Sequence, residues 1–234
     1  MAARLTARCV DSPPPFGTVV AVRKPPQLNA CPDYWEEARS YLVKHDRILR
    51  RLIPKHPDVF LCSRADSFVT LARSITGQQI SVKAAESVWK RVCGSVPAIT
   101  PEALVGAGFA TLSACGLSKR KAEYILDLAL KFGSGQVHPH QWNDMGDEEV
   151  IADLIQIRGI GRWTAEMFLI FHLLRPNVLP LDDIGLLRAI SLYYFSGEPV
   201  SRSEAREVAD NWVPWRTVAT WYLWRALDPV PVEY

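Results

Sequence analysis

The sequence predicts an all-α protein, and three observations carry that expectation. From about Tyr34 onward apolar residues recur at helical intervals. No alternating apolar and polar run of strand type follows residue 30. No repeat of fixed period is present, so the core must come from helix packed on helix.

Residues 1–30 differ from the rest. Pro13, Pro14, Pro15, Pro25 and Pro26 fall there, and proline lacks an N–H and locks φ, which excludes one regular helix. The run Thr18-Val19-Val20-Ala21-Val22 suits a single strand or an extended arm. The segment reads as a Pro-rich N-terminal tail or arm on a domain covering 31–234. Within 34–53, Trp35, Ala38, Tyr41, Leu42 and Ile48 share a face. Asp66 is placed to cap a helix over 67–76, where Phe68, Leu71, Ala72 and Ile75 line up. Gly77 interrupts, and a second helix runs from about Ser81 to Val92. Thr100-Pro101-Glu102 reads as a cap with proline at the first helical position. Leu117-Ser118 leads into 119–132, with a stripe of Ala122, Ile125, Leu128, Ala129 and Phe132. Helices are then expected over 148–155, 162–174, 183–195, 203–212 and 215–227.

Lys plus Arg total 27 and Asp plus Glu 25 among 234 residues, a formal charge of +2. That excludes a histone-like polycation but not a local nucleic-acid-binding patch. With 48% apolar residues, a chain of this length is expected to fold as a soluble globule without disulfides. No apolar run approaches the roughly 20 residues of a membrane span, so no membrane partner is expected. The N-terminal MAARLTARCV lacks the apolar stretch of a secretory signal; its mild basicity leaves a transit peptide as a weaker alternative. Cys9, Cys31, Cys62, Cys93 and Cys115 contain no C-x-x-C pair, so free thiols in a reducing compartment are expected. His45, His56, His138, His140 and His172 lack metal-ligand spacing on a helix, and no side-chain metal site is expected.

The most informative segment, about 154–166, reads Leu154-Ile155-Gln156-Ile157-Arg158-Gly159-Ile160-Gly161-Arg162-Trp163-Thr164-Ala165-Glu166. A helix ends, two glycines flank one apolar residue, and a new helix begins. Gly159 and Gly161 permit φ > 0 or close backbone approach, and Ile160 can pin the turn between the helices. N–H groups from Gly161 onward would then face outward at a helix N-terminus, which suits a backbone phosphate. A bare G-x-G would be only a helix–helix turn. Downstream, Pro176 and Pro180 precede Leu181-Asp182-Asp183, a carboxylate pair that either caps the next helix or does chemistry.

Together these residues resemble the helix-hairpin-helix/Gly-Pro-Asp DNA glycosylase superfamily, and within it the alkylated-base, 3-methyladenine DNA glycosylase II branch. Ile75-Thr76-Gly77-Gln78-Gln79-Ile80-Ser81, Leu117-Ser118-Lys119-Arg120-Lys121-Ala122 and Trp212-Val213-Pro214-Trp215-Arg216 match the same branch, and the likeness covers roughly 34–227.

The resemblance implies two helical lobes around a central cleft, with the hairpin and a catalytic aspartate at its mouth. The fuller bacterial form of the family carries an N-terminal β-rich domain; with 30-odd residues ahead of the helical part, that domain is expected to be absent or vestigial here. The family's spacing from its hairpin tryptophan, here Trp163, implies that Asp183 is the catalytic residue and Asp182 the cap. Bifunctional relatives place a Schiff-base lysine in the hairpin helix; Trp163 stands there, which implies base excision without strand cleavage. No cysteine follows Cys115, so the four-cysteine iron–sulfur cluster of another branch is excluded. Trp163 and Trp224 match positions whose rings face the flipped base, and a cationic purine would gain roughly 0.5–2 kcal/mol on such a face. Met167 is a candidate pocket floor where relatives often have an aromatic. Phe68 and Tyr124 are candidates to line the cleft, with ordinary core packing as the alternative. Gln79 matches the wedge that fills the gap left by flipping, where a leucine is also seen; the plain alternative is a polar turn in solvent.

Gly159, Gly161, Arg162 and Thr164 would contact DNA, and Arg158, Lys119, Arg120 and Lys121 could reach phosphates or stay solvated. No organic cofactor is implied; hairpin carbonyls can hold a sodium or potassium ion in the family. The expected partner is double-stranded DNA containing damaged bases, bound by a monomer, in the cytoplasm with the nucleoid or in a nucleus. The expected function is a monofunctional N-glycosylase for alkylated purines. Its rivals are a glycosylase for deaminated or oxidised bases, and a non-catalytic helix-hairpin-helix DNA-binding module.

Overall fold

The computed structural model describes residues 31–57, 60–63 and 66–227; the arm expected over 1–30, with its extended 18–22 run, lies outside them. Among the described residues are eleven α-helices and one 3-10 turn, as the all-α reading requires. They are α1 (Trp35–His45), α2 (Leu49–Leu52, continued by the 3-10 turn Ile53–Lys55), α3 (Ser67–Gly77), α4 (Val82–Gly94) and α5 (Pro101–Ala114). After these come α6 (Lys119–Ser134), α7 (Asp147–Leu154), α8 (Arg162–Phe171), α9 (Ile184–Tyr194), α10 (Arg202–Asp210) and α11 (Arg216–Leu227).

Short polar side chains start the helices. Asp66 accepts from Val69 N at 2.8 Å, Ser81 from Ala84 N at 3.3 Å, Thr100 from Ala103 N at 3.2 Å and Ser118 from Lys121 N at 3.4 Å. Several boundaries differ from the periodicity. The expected 34–53 helix breaks at Asp46, whose carboxylate accepts from the N–H groups of Ile48 and Leu49 at 2.8 and 2.9 Å. A short acid that caps a new turn outcompetes continuation of the old one. The expected 162–174 helix ends at Phe171, because Leu174 takes a left-handed φ of 52°. Arg175 then turns inward, and its buried guanidinium donates to the carbonyls of Trp142, Asn143 and Met145. α5 is kinked at Gly108, where φ is 73°.

The most extensive helix–helix contacts join α3, α4, α5 and α6 to one another, and α1, α2, α9, α10 and α11 to one another. α7 and α8 pack on each other, and α8 also touches α3. Trp35 of α1 meets the rings of Trp221 and Tyr222 at 5.4 and 6.0 Å, so the two ends of the described chain share one core. A chain of edge-on aromatic contacts, Phe68–Phe132–Trp142–Phe168, runs from α3 through α6 to α8. The thiols of Cys31, Cys62, Cys93 and Cys115 are free, and no helix among the described residues is long and apolar enough to cross a membrane.

Asp46 is the buried polar joint of the second group. Besides capping α2, it accepts from Tyr194 Oη at 2.9 Å and Trp212 Nε1 at 3.0 Å. Burial of the Tyr194 phenol, and then the negative charge of Asp46 beside it, hold that phenol well above its ordinary pKa. Asp46→Ala would leave these two donors without their acceptor in the interior. The expected cost is about 3 kcal/mol, read as a lower urea midpoint by circular dichroism.

Candidate active site

Asp183 sits at the N-cap of α9 and is almost fully buried. Its Oδ1 accepts from Leu186 N at 2.6 Å and from Trp224 Nε1 at 2.8 Å. Its Oδ2 accepts from Trp163 Nε1 at 3.1 Å. Three donors from three helices, α8, α9 and α11, fix the plane of this carboxylate. The expected division of labour between the two aspartates is corrected here: Asp183 itself caps the helix, whereas Asp182 is half-exposed and pairs with Arg202 at 2.6 Å. The cap needs a side chain that folds back onto its own first turn, and the backbone at Asp183 provides that direction. Gly185, which the sequence reading passed over, leaves the room. A Cβ there would stand 3.1 Å from Asp183 Oδ1 and 3.4 Å from the Trp224 ring.

The hairpin forms as its glycines suggest, but for two different reasons. Gly159 adopts a φ of 85°, and a Cβ there would lie 2.2 Å from Cδ2 of Tyr124. Gly161 has ordinary extended backbone, and a Cβ there would meet nothing within 4 Å. Gly159 is needed for internal packing; Gly161 faces open space. Ile160 is buried between the helices. The N–H groups of Gly161, Arg162 and Thr164 donate to no other described residue. No acid occupies the first turn of α8, whereas α7 opens on Asp147, Glu148 and Glu149. The N-terminal dipole of α8 is therefore left for an external anion.

The Arg162 guanidinium does not point toward that anion position. It pairs with Glu148 through both terminal nitrogens and with Glu166 through Nε at 3.0 Å. Those hydrogen bonds hold the Glu148 carboxyl below its ordinary range, while burial pushes Glu166 up. A polar cleft of about 420 Å³, lined by Arg162, Glu166, Asp182 and Arg202, lies on this side. On the other side a cleft of about 520 Å³ opens between the α3–α4 turn and the hairpin. Gly77, Gln78, Gln79, Gly159, Trp163 and Thr164 line it. Gln79 stands exposed at its rim in the left-handed region, with a φ of 58°.

Other expected site residues are placed as follows. Trp163 lines the cleft and Trp224 does not; Trp224 stacks on Phe171 at 5.8 Å, and both indole N–H groups are spent on Asp183. Met167 is buried in the core, and Phe68 packs edge-on against Phe132 within it. Tyr124 is half-buried beneath Gly159, with the Arg158 guanidinium over its ring at 5.9 Å. Lys121 does not face solvent phosphate, since its ammonium donates to the carbonyls of Thr76 and Gln78. The hairpin carbonyls of Gln156, Ile157 and Gly159 are taken by Lys131, Ile160 and Gln78. Those of Ile155, Arg158 and Ile160 accept from no other described residue. Neutral carbonyl oxygens are the ligands of sodium and potassium ions, so this backbone fits such an ion. Among the described residues no cluster of His, Cys, Asp or Glu could hold a metal.

Fold and site together define a helix-hairpin-helix protein with a buried, triply held carboxylate beside an open helix N-terminus. Residues 72–214 match the family described as HhH-GPD superfamily base excision DNA repair protein, and the chain belongs to it. It is 32% identical over 168 residues to DNA-3-methyladenine glycosylase 1 of Schizosaccharomyces pombe, covering 69% of this chain and 73% of that one. The crystal structure of DNA-3-methyladenine glycosidase from Bacillus halodurans superposes with a TM-score of 0.76 at 35% identity, covering 82% of this chain and 89% of the other. The 3-methyladenine DNA glycosylase of Schizosaccharomyces pombe in complex with abasic DNA gives 0.72 at 29% identity, with 85% and 98% covered. Against two longer bacterial relatives the chain spans 45% and 65% of their length.

Proposed function

We propose that this protein is a monofunctional DNA N-glycosylase that removes alkylated purines such as 3-methyladenine from duplex DNA. The observation that carries this reading is Asp183, held by Leu186 N, Trp163 and Trp224 one helix away from the unfilled N-terminus of α8. The similarity to 3-methyladenine glycosylases supports the substrate class.

A DNA phosphate would dock on the N–H groups of Gly161, Arg162 and Thr164, with no base information in the contact. A sodium or potassium ion on the carbonyls of Ile155, Arg158 and Ile160 would supply positive charge beside it. Gln79 would enter the duplex as the base leaves the stack. The Trp163 face would receive the flipped base, and an alkylated purine is a cation, which a ring face attracts. As the C1′–N bond breaks, the base departs with the electron pair and positive charge builds on the sugar. The Asp183 carboxylate stabilises that charge and orients the water that adds to C1′, leaving an abasic site. Trp163 occupies the hairpin-helix position where a nucleophilic lysine would form a Schiff base, so the strand stays intact. We further propose that the protein works as a monomer, in the cytoplasm with the nucleoid or in a nucleus.

Incubation with methylated duplex DNA tests the reading. Free 3-methyladenine, with alkali-labile abasic sites and no strand nicks, is expected. Release of only deaminated or oxidised bases would move the substrate class. Binding without release of any base would reduce the protein to a DNA-binding module.

A further inference from the structure

One face of α6 holds both the Gln79 turn and the hairpin of the proposed site. Lys121 Nζ donates to Thr76 O at 2.9 Å and Gln78 O at 2.6 Å, at the C-terminal end of α3. Tyr124, one turn on, presses its ring against Gly159. Asp127 accepts from Arg158 N at 2.8 Å, and Lys131, which pairs with Asp127 at 3.2 Å, donates to the Gln156 carbonyl. The spacing 121, 124, 127 and 131 is a single helical stripe. One end of it supports the turn carrying Gln79, and the rest supports the hairpin. The two parts are also tied directly, since Gln78 Nε2 donates to Gly159 O at 2.9 Å.

Lys121 is the critical member. The last carbonyls of a helix have no partner within it, and a cation there suits the negative end of the dipole. The ammonium satisfies two such carbonyls at once, and burial pulls its pKa below the ordinary lysine value. Directly after the second carbonyl, Gln79 is held at a φ of 58°, a region that costs a non-glycine residue about 1 kcal/mol or more. On the far side Ser81 caps α4. Gln79 is thus clamped between a lysine-held carbonyl and a capped helix, and its exposed side chain projects at the rim of the cleft.

We propose that Lys121 is a positioning residue for base flipping: it sets the register of the Gln79 turn against the hairpin, so that insertion into the duplex and phosphate docking occur in one fixed geometry. The proposal rests on the glycosylase reading and deepens it. Lys121 acts through Gln79 and does not touch the reacting sugar or the base. Its loss penalises extrusion of the base and spares the bond-breaking step.

The test compares wild type, Lys121→Met and Lys121→Arg on two substrates that differ in flipping cost. One is duplex DNA with a single alkylated purine; the other carries the same purine in a single strand, where little must be unstacked. Lys121→Met is expected to lose about ten- to a hundredfold in single-turnover release from duplex, the scale of a misplacement near 1 Å, and no more than about threefold from the single strand. Lys121→Arg, which keeps a donor and a charge at the carbonyls, should recover most of the duplex rate. 2-Aminopurine beside the lesion should brighten on binding to wild type and fail to do so with Lys121→Met. Equal losses on both substrates, or no loss on duplex, would overturn the proposal. If Lys121→Met does not fold, Gln78→Leu, which cuts the tie to Gly159, must show the same split between substrates. No release from either substrate by the wild type would instead defeat the glycosylase reading itself.

Discussion

Asp183→Asn is expected to abolish base release while leaving the protein folded and able to bind DNA. The carboxylate is the negative charge proposed to face the sugar, and asparagine removes that charge at constant shape. With the amide oxygen kept at the Oδ1 position for Leu186 N and Trp224, the NH2 falls at the Oδ2 position, so Trp163 is left facing a donor. The rate of single-turnover release should fall by about a thousandfold or more, the scale seen when one well-placed electrostatic group is lost from an active site. Asparagine caps helices as well as aspartate does, so the bond to Leu186 N and the start of α9 survive. Thermal unfolding and fluorescence anisotropy with duplex DNA should therefore change little. A variant that keeps its rate within tenfold of wild type would remove Asp183 from the chemistry.

Gly159→Ala should be the most damaging change in the hairpin. Its Cβ would lie 2.2 Å from Cδ2 and 2.6 Å from Cγ of Tyr124, and the backbone φ of 85° is one that alanine resists. The left-handed backbone costs about 1–2 kcal/mol and the overpacking about 1–3 kcal/mol, so a total near 3 kcal/mol is expected in urea. A double-mutant cycle separates the two costs. Tyr124→Ala in the Gly159→Ala background should return the packing cost and leave the backbone cost. Gly161→Ala makes the contrast. Its Cβ enters open space at an ordinary φ, so stability should hold. Its affinity for duplex DNA should nonetheless fall, because the methyl stands where the phosphate approaches. Equal effects of the two substitutions on stability would refute the separate roles assigned to these glycines.

Several parts of the site are legible in the linear chain because their physics is local. Asp66, Thr100 and Ser118 cap helices through hydrogen bonds that span three residues. Gly159-Ile160-Gly161 marks a turn because glycine tolerates what other residues do not, and Ile160 pins it as its position between two helical runs suggests. Asp183 is singled out only through the family resemblance; its hydrogen bond to Trp163 joins residues twenty apart. Elsewhere the surroundings of a side chain come only from the packing. Met167 is one turn from Trp163 and is buried, with Thr164–Ile170 of α8 all buried around it. Arg162 looks like a phosphate contact until the acids of α7 and α8 surround it. Nothing in the sequence around Gln78 or Lys121 shows that they meet Gly159 and the end of α3, at separations of 81 and 43–45 residues.

By itself, then, the sequence determined the helical class and the place of the hairpin, and it offered the Asp182-Asp183 pair together with the family resemblance that points to Asp183. The first two rest on periodicity, capping and glycine freedom, which act within a turn or two of chain; singling out Asp183 rests on the resemblance. Only the tertiary structure decided which aspartate caps α9, that both tryptophan N–H groups hold it, and that α6 supports the Gln79 turn and the hairpin together. Those features are set by how packed helices bring distant side chains within hydrogen-bonding range, and short hydrogen bonds between remote residues leave no periodic trace in the sequence.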